Sequence, residues 1–292
     1  MAINIDKLKA FRIPEGRQTL SSRDIANYAL SIGMGRVDPG EVPLDYVDPL
    51  RGPVVMPAMV LVMAHPGFWM GDPASGIDPT GVLHMEQQFE IQGSVPDSGE
   101  VTSASEVTEV IDKGPGKAGI VKVRTDLFDA SRQKFAELNR TVYIKGGGGF
   151  GGDGGAPVDP LAPPEGNPDA VIDLTTGQDQ ALFYRLHGDF NPLHSDQATA
   201  EKAGFKRPIL HGLCTMGVIA HAILRELGDY RAEALRAMSL RFRSPVYPGE
   251  TIRTEIWNDG RFLARALERD EVVVDEGKAV IGQLELSETG TG

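Results

Sequence analysis

The sequence predicts an α+β protein made of two tandem copies of one fold, each an antiparallel sheet wrapped around a long apolar helix. Three observations predict this class. A Gly- and Pro-rich break lies near the middle of the chain, a faint internal repeat relates the two sides, and β-rich runs follow an apolar segment in each half. With 292 residues, 41% of them hydrophobic, the chain has enough apolar material for both cores.

The break runs from Gly146 to Ala170 and is Gly-rich at its start and Pro-rich at its end. Such a composition favours neither a helix nor a central strand. It predicts an N-terminal copy over residues 1–155, a linker over residues 156–170 and a C-terminal copy over residues 171–292.

The repeat relates two pairs of segments. SSRDIANYALSIGMG from Ser21 matches TGQDQALFYRLHGDF from Thr176 at an offset of 155 residues, and FEIQGSV from Phe89 matches LRFRSPV from Leu240 at an offset of 151. Both members of the first pair open with Ser or Thr followed three residues later by Asp. This variant of the capping box predicts that each segment begins a helix.

The second half also contains a long apolar segment, HGLCTMGVIAHAILRELGDY, which predicts a helix from near Gly212 to Gly228. Short β-rich segments follow from Met238 onward, as expected for an antiparallel meander. In the first half the apolar run MPAMVLVMAHPGFWM is interpreted as the corresponding central helix. Two sheets that each wrap a buried helix make a double hot dog arrangement.

Composition and charge exclude several classes of protein. A net charge of −12 argues against nucleic acid and anionic membrane as main partners, because these are bound by surplus Lys and Arg. The single Cys214 allows no intrachain disulfide, and no apolar run reaches the length of a membrane span. Neither end resembles a targeting signal, so the cytoplasm is the predicted compartment.

The polar residues of the turn GDFNPLH have no counterpart in the first copy. At the repeat offset the two copies differ at three positions, where Asp189 faces Met34, Asn191 faces Arg36 and His194 faces Pro39. A turn needed only for solvation or capping would have little reason to differ so sharply between copies. The difference favours a functional role in the second copy.

Three interpretations of this turn compete. Gly, Asp, Asn and Pro are ordinary turn formers. Asp189, His194, Asp196 and His211 could also be metal ligands, although no two histidines have the spacing that usually binds zinc. Alternatively, Asp189 and His194 could converge on one water as a proton-transfer pair, with Asn191 orienting that water or the substrate.

The segment YRLHGDFNPLHSDQATAEKAGFKRPILHGLCTMG resembles the signature of the MaoC-like, hydratase 2 family of (R)-specific enoyl-CoA hydratases. DKGPGK, GGGGFGG and RFRSPVYPGE resemble family segments in the same order. The resemblance therefore covers nearly the whole chain and points to the double hot dog members. GGGGFGG lacks the Lys and Ser or Thr that follow a phosphate-binding loop, so a nucleotide role has little support.

The resemblance implies a reaction and its residues. Asp189 and His194 would hold and activate the water that adds to C3 of a trans-2-enoyl thioester, and Asn191 would assist. The backbone N–H of Gly212 would stabilise the thioester oxygen at the start of the long helix. No metal and no cofactor are expected, since CoA is part of the substrate.

The resemblance also implies a division of labour between the copies. The non-catalytic first copy would open a pocket for the acyl group, contacted by His84, Met85 and Lys113 and, from the second copy, by Phe242. Arg207 is a candidate for binding the CoA phosphates. The chain departs from the family at Met85, where Gly is common, and this affects the expected width of the pocket.

Two alternatives share these residues. A dehydratase acting on 3-hydroxyacyl thioesters of acyl-carrier protein needs the same catalytic groups, and a non-catalytic acyl-CoA-binding subunit could retain the fold. A homodimer is expected because it is the commonest symmetric assembly.

Overall fold

The computed structural model describes residues 1–36, 42–152, 154–155, 161–162 and 164–282, so parts of the predicted linker, Pro39 and the end of the second copy lie outside the described residues. The described helices are α1 Ile5–Ala10, α2 Ser22–Ser31, α3 Gln180–Tyr184, α4 Gln197–Lys202 and α5 Gly212–Gly228. The strands are β1 Gly16–Leu20, β2 Val82–Ile91, β3 Gly99–Asp112, β4 Gly119–Phe128, β5 Lys134–Ile144, β6 Ala170–Thr175, β7 Leu235–Phe242, β8 Thr251–Ile256, β9 Arg261–Ala266 and β10 Glu271–Ile281. None of the helices in these ranges is long and apolar enough to cross a membrane.

All ten strands form one antiparallel sheet in the order β1-β3-β4-β5-β2-β7-β10-β9-β8-β6. Its centre is the pair β2 and β7, which contain the first three residues of each matched segment of the sequence repeat, residues 89–91 and 240–242. They pair with Gln87 opposite Leu240 and Phe89 opposite Met238. An antiparallel pairing of equivalent strands is what a twofold relation between two copies produces, and the α+β double hot dog prediction is confirmed.

Helix α5 confirms the predicted long helix and its boundaries, Gly212 and Gly228. Most of its side chains are buried, because the sheet of the second copy covers one side and α2 approaches from the other. Gly217 allows this approach. A Cβ there would lie 2.6 Å from Cγ2 of Ile32 and 3.1 Å from the hydroxyl of Tyr28, so a larger residue would push the two helices apart.

The central helix predicted for the first copy is wrong. Over residues 56–70 the apolar run forms only short 3₁₀ helices, Pro57–Leu61 and the start of Trp69–Gly71, although most of its apolar residues are buried. Two local features prevent a longer helix. Ala64 adopts a left-handed backbone with φ of 47°, and Pro66 disfavours helical geometry at His65. The apolar pattern indicated burial correctly but not the type of element.

The two predicted capping boxes have different outcomes. Ser21 and Asp24 form the reciprocal box at the start of α2. The box predicted at Thr176 and Asp179 is wrong, because both side chains have other partners. The Thr176 hydroxyl donates to the carbonyl of Glu250 at 2.7 Å, and Asp179 pairs with Arg36 of the first copy at 2.8 Å.

The glycine-rich run folds back onto the carboxylate of Asp112. Oδ1 accepts hydrogen bonds from the backbone N–H groups of Gly114 at 2.8 Å and Gly149 at 2.7 Å, and Oδ2 accepts one from Gly151 at 2.7 Å. A Cβ on Gly148 would lie 2.5 Å from the carbonyl oxygen of Gly114, so only glycine fits there. The family-like segments DKGPGK and GGGGFGG thus form one structural unit.

These hydrogen bonds lower the pKa of Asp112, since they stabilise its ionised form. We expect Asp112→Asn to lower the melting temperature at neutral pH, because the amide places an N–H donor where the N–H groups of the loop require an acceptor. Thermal unfolding of both proteins from pH 7 down to pH 3 tests this. The difference in melting temperature between wild type and Asp112→Asn should become smaller as the pH falls toward the lowered pKa of Asp112. Equal melting temperatures at pH 7 would contradict the prediction.

Candidate active site

The polar turn is built from two short 3₁₀ helices around Asp189. The first, Arg185–His187, follows α3 and ends at Gly188, whose φ of 109° favours glycine. The carboxylate of Asp189 accepts a hydrogen bond from the N–H of Asn191 at 3.1 Å, and the Asn191 side chain accepts one from Leu193 at 3.0 Å. Asp189 and Asn191 therefore do stabilise the turn, and these hydrogen bonds fix the direction of both of their side chains.

His194 has a defined tautomer. Its Nδ1 lies 2.9 Å from the carbonyl oxygen of Ile209, which can only accept a hydrogen bond. Nδ1 must therefore carry the proton, and Nε2 of the neutral ring keeps a lone pair for the site. Burial lowers the pKa of His194, partly offset by the Ile209 carbonyl and by Asp189. The ring is thus a neutral proton acceptor near pH 7.

His211 joins the two predicted residues. Its ring stacks on that of His194 with a centroid separation of 3.7 Å, and its Nε2 lies 3.2 Å from the backbone carbonyl oxygen of Asp189. A carboxylate oxygen of Asp189 and a ring nitrogen of each histidine lie within 4.8 Å of one another. The fold therefore brings these three residues together.

The metal interpretation is weaker in this geometry. The ring planes of His194 and His211 are inclined by only 26°, so their nitrogen lone pairs lie in nearly parallel planes and do not converge on one ion. The fourth candidate ligand, Asp196, instead caps α4 by accepting hydrogen bonds from Thr199. The arrangement suits a proton-transfer pair better than a metal centre.

Gly212 is the first residue of α5, where a backbone N–H has no acceptor within the helix. The ring of Phe242 covers this position. A Cβ on Gly212 would lie 3.2 Å from Cζ of Phe242, and the Phe242 ring contacts that of His84 with a centroid distance of 5.0 Å. The start of α5 thus contacts Phe242, which in turn contacts His84 of the first copy.

His84 and Met85 lie at an irregularity of β2, where its pairing with β5 shifts register between His84 and Glu86. Nε2 of His84 lies 3.1 Å from the carbonyl oxygen of Glu86. Burial, assisted by the charge of Arg140, lowers the pKa of His84 to about 3. His84 is therefore a neutral group in the wall of the site, and Met85 is the half-buried residue at the bulge.

Sequence reasoning missed Arg140 on β5. It is half-buried, and within the described ranges its side chain makes no hydrogen bond or ion pair. Burial lowers its pKa and the nearby charge of Asp189 opposes that shift. The sequence pattern of the strand could have singled out Arg140, because a charged residue there interrupts the alternating apolar positions Ala136, Leu138 and Val142.

Lys113 and Arg207 contact residues that are not part of this cluster. Lys113 is exposed and donates to the carbonyl of Gly154 at 2.9 Å. Arg207 donates to the carbonyl of Pro248 at 2.9 Å and lies over the ring of Tyr247. Their proposed roles in binding the substrate stay predictions.

Two family models match the chain, one to each half. The MFE-2 hydratase 2 N-terminal domain matches residues 19–146, and the MaoC like domain matches residues 160–281. The chain is 38% identical over 264 residues to the 3-hydroxyacyl-thioester dehydratase Y of Mycobacterium tuberculosis, and the match covers 88% of each protein.

A second relative is the peroxisomal multifunctional enzyme type 2 of Drosophila melanogaster, with 38% identity over 271 residues. That match covers 89% of this chain but 44% of the relative, so the chain spans less than half of that larger protein. Among solved structures, a MaoC-like dehydratase from Phytophthora capsici is 31% identical, with a TM-score of 0.82 and coverage of 97% of this chain and 100% of that one.

Buried histidines predict how stability depends on pH. All six histidines of the chain have a pKa lowered below the ordinary value of 6.5, mainly by burial; they are His65, His84, His187, His194, His211 and His221. The unfolded chain therefore binds protons that the folded chain does not, beginning near pH 6.5. We expect the urea midpoint of unfolding to fall between pH 7 and pH 5. An unchanged midpoint would mean that these rings protonate within the fold.

Proposed function

The chain belongs to the MaoC-like, hydratase 2 family, and from this premise we propose that it catalyses the reversible hydration of trans-2-enoyl-CoA to (R)-3-hydroxyacyl-CoA. One observation carries the proposal. An ionisable carboxylate, Asp189, and an imidazole with a free Nε2 lone pair, His194, converge beside the first N–H of a long helix. These are the groups that addition of water to a conjugated thioester requires.

Water is a poor nucleophile at neutral pH and needs a proton acceptor as its oxygen bonds to C3. In our proposal one water lies between the Asp189 carboxylate and Nε2 of His194. The residue that accepts the proton of this water then returns a proton to C2. One water is added across the double bond, and both residues regain their starting states.

The developing negative charge on the thioester oxygen needs a hydrogen-bond donor. The N–H of Gly212 meets this need, since it lies at the positive end of α5 and has no intrahelical acceptor. Asn191 holds the turn that carries both catalytic side chains. No step passes through a metal or cofactor, so dialysis against a chelator should leave turnover unchanged.

The first copy supplies the acyl side of the site in this proposal. Its short Pro57–Leu61 segment occupies less of the inner face of the sheet than a helix like α5 would. His84 and Met85 line the approach from β2, next to Phe242. The larger Met85 side chain, compared with glycine, would narrow this approach.

We further propose a homodimer in the cytoplasm. Exposed large apolar side chains lie on α2, on α3 and just beyond α3, as expected of an interface; they are Leu30, Leu182, Phe183, Leu186 and Phe190. Light scattering should give twice the mass of one chain, and Phe183→Glu should lower the measured mass toward that of a single chain.

The compartment needs a separate test, because the Drosophila relative is named peroxisomal. Fractionation of cells that express the full-length protein provides it.

The shared-water mechanism predicts a pattern of mutant rates. Asp189→Asn removes the carboxylate but keeps its shape, and His194→Ala removes the imidazole. Each should lower kcat by at least about 10²-fold, the usual contribution of a positioned acid-base group. The double mutant should be little slower than either single mutant, because residues that act as a unit are not additive.

Loss of the absorbance of the conjugated thioester in crotonyl-CoA measures these rates, and calorimetric titration should show that binding of the thioester largely survives. His221→Phe is a suitable control because His221 is a buried histidine at the far part of α5, hydrogen-bonded to Tyr230. If the two single losses multiplied in the double mutant, the residues would not share one water. Absence of turnover in the wild type over a range of chain lengths would favour a non-catalytic acyl-CoA-binding subunit.

A further inference from the structure

We propose that His211 is a positioning residue for this reaction, one that holds Asp189 and His194 in the relative orientation that a shared water needs. The inference rests on the proposed function and deepens it. Sequence reasoning considered His211 only as a metal ligand, whereas its contacts in the fold assign it a different task.

Three contacts carry the proposal. Nε2–H of His211 donates to the backbone carbonyl of Asp189 at 3.2 Å, which ties the catalytic turn to the start of α5. The His211 ring stacks on His194 at 3.7 Å and so limits rotation of that imidazole. His211 is also the residue directly before Gly212. His211 therefore contacts the backbone of Asp189 and the imidazole of His194, and it directly precedes the predicted oxyanion donor in the chain.

Packing alone does not explain a histidine at this position. The residue is only 1% exposed, and the ring of Tyr184 packs against it at a centroid distance of 5.2 Å. Its Nδ1 has no hydrogen-bond partner within the part of the chain that the structure describes. Because a buried polar atom without a partner costs stability, a phenylalanine ring would stack at lower cost. What phenylalanine lacks is the N–H that reaches Asp189.

The charge state of His211 agrees with this role. Burial is the larger cause and the charge of the neighbouring His194 the smaller one, and together they lower the pKa of His211 to about 3. The ring stays neutral when His194 gains a proton during turnover, so the two stacked imidazoles do not both become positive. His211 thus provides a hydrogen-bond donor and a neutral surface, and leaves the proton transfer to its neighbours.

Three variants separate its two contacts. His211→Phe keeps a ring for stacking but loses the donor, His211→Gln keeps an N–H donor but loses the ring, and His211→Ala loses both. With crotonyl-CoA we expect His211→Ala to lower kcat by about 10²-fold, the cost of misplacing reacting groups by about 1 Å. Phe and Gln should each restore part of that loss, and KM should change little in all three.

His221→Phe is the matched control. His221 is also a buried histidine of α5, with Nε2 bonded to the Tyr230 hydroxyl at 3.1 Å and Nδ1 without a partner in the described region. A general loss of packing would lower the melting temperature of both Phe variants, whereas only His211→Phe should lower kcat. Thermal unfolding of each variant gives the fraction of folded protein, and kcat is then calculated per folded molecule.

A combination with His194→Ala tests whether the ring of His211 acts through His194. In that background His211→Gln should cause almost no further loss of kcat, since the stacking partner is already gone. The proposal is overturned if His211→Ala keeps near wild-type kcat, or if the loss from His211→Gln is the same with and without His194. A wild type that does not hydrate crotonyl-CoA or longer enoyl-CoA would instead refute the proposed function itself.

Discussion

The antiparallel pairing of β2 with β7 is the constraint on which the rest of the structure depends. It joins two five-stranded halves into one sheet, and Arg241 holds its register by an ion pair with the directly opposed Glu86. Phe242 at the end of β7 then meets His84 of β2 beside the first turn of α5. The contact between Phe242 and His84 needs strands from both halves, whereas Asp189, His194 and Gly212 all lie in the second half.

The two halves use the same sheet for different purposes. The second contains α5, whose first turn presents backbone N–H groups next to the polar turn of Asp189 and His194. The first has only the short Pro57–Leu61 segment in the corresponding region. In the proposed function the second copy carries the chemistry, while the first copy supplies strands to the shared sheet and room for the acyl group.

Much of this was accessible from the sequence, for physical reasons. The long helix and the strands of the second half follow from periodic apolar patterns, which local residues determine. The prediction of a central helix in the first copy is wrong because apolar content indicates burial and not the type of element. The backbone at Ala64 and Pro66 prevents a long helix there. The stacking of His211 on His194 and the placement of Arg140 beside Asp189 arise between distant segments, so no local pattern predicts them.

The central claim is that one water is held between Asp189 and His194 while Gly212 binds the thioester oxygen. A crystal structure of the protein with (R)-3-hydroxybutanoyl-CoA tests this most directly, since the C3 hydroxyl of that compound is the oxygen that the water supplies. We expect that oxygen within hydrogen-bond distance of the Asp189 carboxylate and Nε2 of His194, with the thioester oxygen on the N–H of Gly212. A hydroxyl bound away from this pair, or coordinated to a metal ion, would contradict it.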